Sequence, residues 1–295
     1  MQPNLRGVKV AVMGGDAREL IVVEELASLG ACVIVLGLPV KSRPGTVVIQ
    51  DPEEGLSEIQ ALVLPLPGID EKGFLYSPLA ERPLTLTGGW LARIPPNIPV
   101  FVGLAKPTLV QIASQKNLRL IELMKLNEVA ILNSIPTAEG ALQMAMEMLP
   151  ITIHGCTALV LGFGRTGATL SRLLGAMGAR TMVAARRPEY LARITEMNLI
   201  PIPFHELDEA LDDADLIFNT VPVQVLSEKM LRKVAPETVI IDLASAPGGT
   251  DFRAAKVLGI NAVLAPGLPG KVAPKTAGLI LARVITRLLL EEMGR

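Results

Sequence analysis

The stretch Thr157-Ala-Leu-Val-Leu-Gly162-Phe-Gly164-Arg-Thr-Gly167, running on into a helical pattern over Ala168 to Met177, decides the reading of this chain. An apolar strand ends at G-x-G-x-x-G, a helix follows, and a second strand pattern appears at Arg180 to Ala185. In such a unit the first glycine makes the tight turn and the second admits a pyrophosphate to the backbone. The third lets the helix pack on the strand. The spacing therefore predicts a dinucleotide loop made of Gly162, Phe163, Gly164, Arg165, Thr166 and Gly167.

Dinucleotide sites that select NAD carry an acidic residue about 20 positions past this loop, for the ribose hydroxyls. Here the region reads Ala184-Ala-Arg186-Arg187-Pro188, without a carboxylate. Guanidinium groups form two-pronged bonds to phosphate oxygens, so Arg186 and Arg187 favour NADP(H), with NAD as the alternative. Further strand patterns at Leu216 to Thr220, Val239 to Leu243 and Asn261 to Leu264 each end in a loop rich in Pro, Gly, Ser or Thr. Those loops add Thr220, Val221, Pro222, Ala244, Ser245 and Gly267 to the expected cofactor-binding residues.

The first half repeats the unit in altered form. A strand at Val8 to Met13, a helix at Ala17 to Leu29 and a strand at Ala31 to Leu36 place Gly14 and Gly30 16 residues apart, as Gly162 and Gly178 are. The loop reads Gly14-Gly-Asp16-Ala-Arg18-Glu19, with Asp16 at the position of Gly164 and Glu19 at that of Gly167. A side chain blocks the close approach and the carboxylates repel phosphate, so this loop is expected to reject a dinucleotide and to offer Arg18 to a substrate carboxylate. Between the halves, Asn133-Ser-Ile-Pro136-Thr-Ala-Glu-Gly140 leads into Ala141 to Met148, and Pro136 marks a first helical turn.

The fold expected is α/β, two Rossmann-like doubly wound parallel-sheet domains with a cleft between them. Residues 1–130 form the substrate domain, 131–150 a connecting helix, 151–271 the NADP-binding domain and 272–295 a final helix packing back on the first domain. With 295 residues, half of them apolar and 19% charged, the chain has ample surface to bury, which excludes a disordered protein. A net charge of −1, with no basic run longer than Arg186-Arg187, argues against nucleic acid. Met1 to Val10 lacks a signal-peptide pattern, and Arg283 and Arg287 interrupt the most apolar helix, so neither secretion nor a membrane span is expected. Two cysteines, Cys32 and Cys156, suit a reducing cytoplasm and form no zinc pattern. The only histidines, His154 and His205, fall outside the strand-end loops, so chemistry needing little proton handling is expected.

Three longer stretches carry a resemblance: Asn133 to Gly140, Ile241-Asp-Leu-Ala-Ser-Ala-Pro-Gly-Gly-Thr-Asp-Phe252 and Ala265-Pro-Gly-Leu-Pro-Gly-Lys-Val-Ala-Pro-Lys-Thr-Ala-Gly278. Together with the two glycine loops in order, they resemble the family of dipicolinate synthase A subunits over nearly the whole chain. The resemblance implies an oxidoreductase that forms dipicolinate from dihydrodipicolinate or a hydrated precursor during spore formation. It also implies a partner, the flavoprotein-like B subunit of dipicolinate synthase, and a homo-oligomer is expected besides. A dicarboxylate substrate calls for cations and hydroxyls, and Arg18, Ser134, Thr137, Lys271, Lys275 and Thr276 are the candidates. Two rival readings stand beside this one: a non-catalytic regulatory protein that binds NADP(H), and a shikimate-dehydrogenase-like or hydroxy-acid reductase.

Overall fold

The computed structural model describes residues 3–50 and 54–294. The chain forms two compact units, the first made of residues up to Ala130 and from Ala273 onward, the second of Ile131–Val272. In unit 1 the elements are β1 (Lys9–Met13), α1 (Ala17–Ser28), β2 (Cys32–Leu36), β3 (Thr46–Val48), β4 (Ala61–Val63), α2 (Gly88–Arg93), β5 (Pro99–Val102), α3 (Pro107–Gln115) and β6 (Arg119–Glu122). Helix α4 (Asn127–Met148) carries the chain into unit 2. There follow β7 (Thr157–Leu161), α5 (Arg165–Ala176), β8 (Arg180–Ala185), α6 (Pro188–Glu196), β9 (Ile200–Pro203), α7 (Leu207–Asp212) and β10 (Leu216–Asn219). The unit continues with α8 (Glu228–Leu231), β11 (Val239–Asp242), α9 (Phe252–Leu258), β12 (Asn261–Leu264) and α10 (Leu268–Val272), and α11 (Pro274–Glu292) returns to unit 1.

Each unit holds a six-stranded sheet, in the orders β3-β2-β1-β4-β5-β6 and β9-β8-β7-β10-β11-β12. The two orders are the same once the strands are numbered within their units. All pairings between these strands are parallel, which is the doubly wound arrangement that the alternation of strands and helices predicts. The inner strands read as mainly apolar runs because both faces of each sheet are covered. In unit 2, Ala158, Val160, Val183, Phe218 and Ile241 join one core, while Leu159, Leu161, Met182, Ile217 and Ile240 join the other. Side chains alternate across a strand, so parity alone sorts them.

In unit 1, α11 lies against α1, and their facing residues Val22, Val23, Leu26, Leu281, Ile285 and Leu289 share one core. Gly278 permits that approach. A Cβ there would stand 2.6 Å from the Cβ of Ile21 and 2.7 Å from the Arg18 carbonyl oxygen.

Two boundaries differ from the sequence reading. The connecting helix begins at Asn127, not at residue 131, and Pro136 sits inside it instead of in its first turn. Proline removes one donor from a helix interior, and here neighbouring hydroxyls serve nearby carbonyls: Ser134 Oγ donates to Ile131 O at 2.6 Å and Thr137 Oγ1 to Asn133 O at 2.7 Å. The segment opening the last helix is itself structured. Lys271 belongs to α10, and Lys275 and Thr276 stand in the first turn of α11, which starts at Pro274 and not near Ala277.

Candidate functional site

In unit 2 the connections of β7 and β10 leave the sheet in opposite directions, and a crevice opens at the carboxyl ends of these neighbours. A cavity of about 330 Å³ lies there. It brings together Gly162 to Thr166 from the β7 end, Arg186 and Arg187 from the β8 end, and Thr220, Val221 and Pro222 from the β10 end. Gly167, Ala244, Ser245 and Gly267 do not line it. Gly167 is buried behind the loop, where a Cβ would come 2.1 Å from the Gly162 carbonyl oxygen, so its part is the packing of α5 on β7. Ala244 is buried, and Ser245 and Gly267 are exposed.

The three glycines answer to different constraints. Gly162 has φ +95°, and a Cβ on it would meet Thr220 Oγ1 at 2.6 Å. Gly164 has φ −80°, and a Cβ there would meet nothing within 4 Å. Neither backbone conformation nor packing requires a glycine at 164. Its open side faces the cavity. Gly164 is also the N-cap of α5 and supplies no side-chain acceptor, so the first turn offers its N–H groups and the positive end of the helix dipole to an anion.

Three further residues, Ala185, Tyr190 and Phe204, complete the wall. Tyr190 packs edge-on against Phe163 with ring centroids 5.8 Å apart, and the Arg187 guanidinium lies 5.4 Å from its ring centre. Arg187 also stands 3.8 Å from Glu189, and both arginines are exposed. Tyr190 could be found from sequence as the aromatic one helical turn past Arg187. His154 and His205 lie outside this wall: a ring nitrogen of His154 meets the Met177 carbonyl at 3.2 Å, and His205 is largely exposed.

The equivalent loop of unit 1 is closed from within. Asp16 caps α1 by accepting the Arg18 N–H, and Glu19 Oε2 accepts the Asp16 N–H at 2.8 Å. The Gly15 N–H donates to the Tyr76 carbonyl at 2.9 Å, where a phosphate would otherwise approach. Arg18 is buried and forks onto Asp16, with Nε to Oδ1 at 2.9 Å and Nη2 to Oδ2 at 2.7 Å. Burial works against the charge of Asp16, yet the Arg18 contacts outweigh it and hold that carboxyl below its ordinary range. Glu19, 2% exposed, is pushed up by burial to about 7.

Of the remaining candidates, Ser134 is buried in α4 and shares a 2.6 Å hydrogen bond with Thr169 Oγ1, whose hydroxyl also reaches the Arg165 carbonyl at 3.2 Å. Thr137 spends its hydroxyl on its own helix. Lys271, Lys275 and Thr276 are exposed. Among the described residues, no helix is long and apolar enough to cross a membrane.

Residues 131–248 match the family model of the D-isomer specific 2-hydroxyacid dehydrogenase NAD binding domain, and residues 9–124 that of the N-terminal domain of the dipicolinate synthase A subunit. The fold and the glycine-loop cavity thus define a nicotinamide-dinucleotide-binding protein of the dehydrogenase type. The chain is 41% identical to the dipicolinate synthase A subunit of Bacillus subtilis (strain 168) over 289 residues, 97% of each chain. It superposes on the crystal structure of the dipicolinate synthase A subunit from Bacillus halodurans with a TM-score of 0.94, at 39% identity, covering 97% of this chain and 99% of that one. The crystal structure of the Bacillus subtilis protein gives the same score at 40% identity, over 100% and 99% of the two chains. The chain belongs to the family of dipicolinate synthase A subunits.

Two variants test this geometry. Gly164→Asp should fold with wild-type Tm, since the added side chain meets open space and resembles the Asp16 cap, yet lose dinucleotide binding in titration calorimetry; unchanged affinity would remove this loop as the cofactor site. Glu19→Gln concerns pH. A carboxyl whose folded pKa rises from 4.5 to about 7 lends stability below 4.5 and loses it as the pH climbs towards 7. Glutamine keeps an acceptor for the Asp16 N–H without ionising, so the variant should gain about 1 to 3 kcal/mol on the wild type between pH 5 and pH 8. Denaturant unfolding at the two pH values measures this, and losses independent of pH cancel in the difference.

Proposed function

We propose that this chain is the oxidoreductase component that converts dihydrodipicolinate, or its hydrated precursor, to dipicolinate, with NADP(H) as cofactor. Unit 2 binds the dinucleotide and unit 1 the substrate. The observation that carries the reading is Gly164, a glycine that neither packing nor backbone conformation requires and that lines the cavity, in a chain 41% identical to the A subunit of a dipicolinate synthase. A dihydropyridine ring that gives a hydride to C4 of the oxidised nicotinamide and a proton to solvent becomes an aromatic pyridine. Aromaticity supplies driving force, and the protein has chiefly to orient ring and cofactor. That suits a cavity wall without histidine. A precursor that still bears a hydroxyl also loses water.

The cofactor preference rests on Arg186 and Arg187, exposed at the cavity edge where a carboxylate would select NAD. Arg187, resting on Tyr190, is the guanidinium proposed to take the 2′-phosphate. For the substrate, Arg18 is the residue proposed to take a carboxylate, with Asp16 fixing its fork. The flavoprotein-like B subunit, a homo-oligomeric state and a cytoplasmic location complete the proposal.

The decisive experiment supplies the purified chain with freshly made dihydrodipicolinate and NADP or NAD, with and without the partner protein, and follows reduced cofactor and dipicolinate together. Dipicolinate without reduced cofactor would overturn the hydride assignment. Replacing Arg186 and Arg187 by alanine should weaken NADPH by about 2 to 4 kcal/mol and leave NADH nearly unchanged, and equal losses would end the NADP assignment. Arg18→Ala should keep NADPH affinity while the substrate KM rises, or kcat falls, at least about tenfold. Wild-type kinetics in that variant would return Arg18 to a helix-capping part.

A further inference from the structure

Strand β11 is apolar except for its last residue, Asp242, and strand β10 is apolar except for its last, Asn219. Both are fully buried, side by side in register at the carboxyl edge of the unit 2 sheet. The Asp242 carboxylate has no basic partner among the described residues. Instead its Oδ1 accepts from Asn219 Nδ2 and the Ala244 N–H, each at 3.0 Å, and its Oδ2 accepts from the Gly249 N–H at 2.8 Å and Thr250 Oγ1 at 2.7 Å. Four donors on one buried carboxylate satisfy it completely. Asn219 in turn grips Val221 from both sides, donating to its carbonyl at 3.0 Å and accepting its N–H at 3.0 Å.

A second set of contacts locks the two strand-end loops to each other. The Val225 and Leu226 N–H groups both donate to the Gly249 carbonyl, and the Asp251 N–H returns to Leu226. The fit is close: a Cβ on Gly249 would stand 2.5 Å from Asn219 Nδ2 and 2.6 Å from the carbonyl oxygens of Val221 and Val223. Buried polar groups of this kind are costly unless all are paired, so the pairing admits one arrangement of the loops. Val221, which Asn219 holds, lines the cavity together with its neighbours Thr220 and Pro222, close beside Gly162 of the glycine loop.

We infer that Asn219 and Asp242 are positioning residues that set the wall against which the dinucleotide is held. Neither side chain lines the cavity. They act through Val221, whose backbone Asn219 fixes, and through the Ala244 to Thr250 loop that Asp242 gathers. The inference rests on the cavity being the dinucleotide site.

The test compares Asn219→Ala with Thr238→Val in the full chain. Thr238 is as deeply buried as Asn219 and lies just ahead of β11, where its hydroxyl donates to the Ala214 carbonyl at 2.6 Å, far from the strand-end loops. Both variants should lower the Tm in calorimetry. Only Asn219→Ala should raise the Kd for NADPH and NADH, at least about tenfold, the loss expected of a charge-linked hydrogen-bond network. Thr238→Val should stay within about twofold of the wild type. Unchanged Kd in Asn219→Ala, or losses that follow Tm alike in both variants, would overturn the inference. A wild type that binds neither dinucleotide overturns the cofactor reading itself, and the inference with it. Should Asn219→Ala not fold, Asp242→Asn keeps the volume, sets an amide against two donors and reads the same quantity.

Discussion

The first N–H groups of a helix have no partner within it and turn to side chains, water or a ligand, and the two units meet that demand in opposite ways. In α1 the chain provides them itself, through the Asp16 carboxylate and the Glu19 side chain folded back over the turn. In α5 the N-cap is Gly164, which provides none. Much of the strand-end architecture of unit 2 follows from that difference. Gly162 turns the backbone so that the α5 start faces the crevice, Gly167 brings the helix against β7, and the walls from the other strands leave space above the turn.

Placing the loops in parallel makes the contrast chemical. Both follow the central strand of a six-stranded sheet with the same connectivity, and both open a helix of 12 residues. One has its dipole answered by carboxylates and its Gly15 amide taken by the Tyr76 carbonyl. Such a start has its Gly15 and Arg18 N–H groups already taken, and it holds the Arg18 guanidinium in a fork on the Asp16 carboxylate. The other leaves its dipole without a capping side chain. The same strand-turn-helix geometry thus carries opposite capping chemistry in the two units.

The doubly wound sheets were legible because their information is local: apolar runs, glycines at strand ends and a fixed spacing between them. So was most of the cavity wall, since Gly162 to Thr166, Arg186, Arg187 and Thr220 to Pro222 stand directly at strand ends. The start of α4 was not, because Pro136 carries the mark of a first turn, while the helix begins nine residues earlier, at Asn127. The partnership of Asn219 with Asp242 is equally hidden. A lone polar residue closing an apolar strand is a visible signal, but its partner is chosen by register between strands 23 residues apart, which spacing along the chain does not encode.

The order in which the chain passes through its units also bears on its birth. Unit 1 takes its last helix from beyond unit 2, so the core that holds Val22, Val23 and Leu26 lacks the share of its cover that Leu281, Ile285 and Leu289 supply until these have been made. Roughly 140 residues of unit 2 are translated in between. At about 5 to 20 residues per second, that leaves a nascent apolar surface partly uncovered for roughly 7 to 30 s. Unit 2, contiguous in the chain, can complete its sheet on the ribosome. Unit 1 must wait, and in that interval the uncovered part is where a chaperone would act.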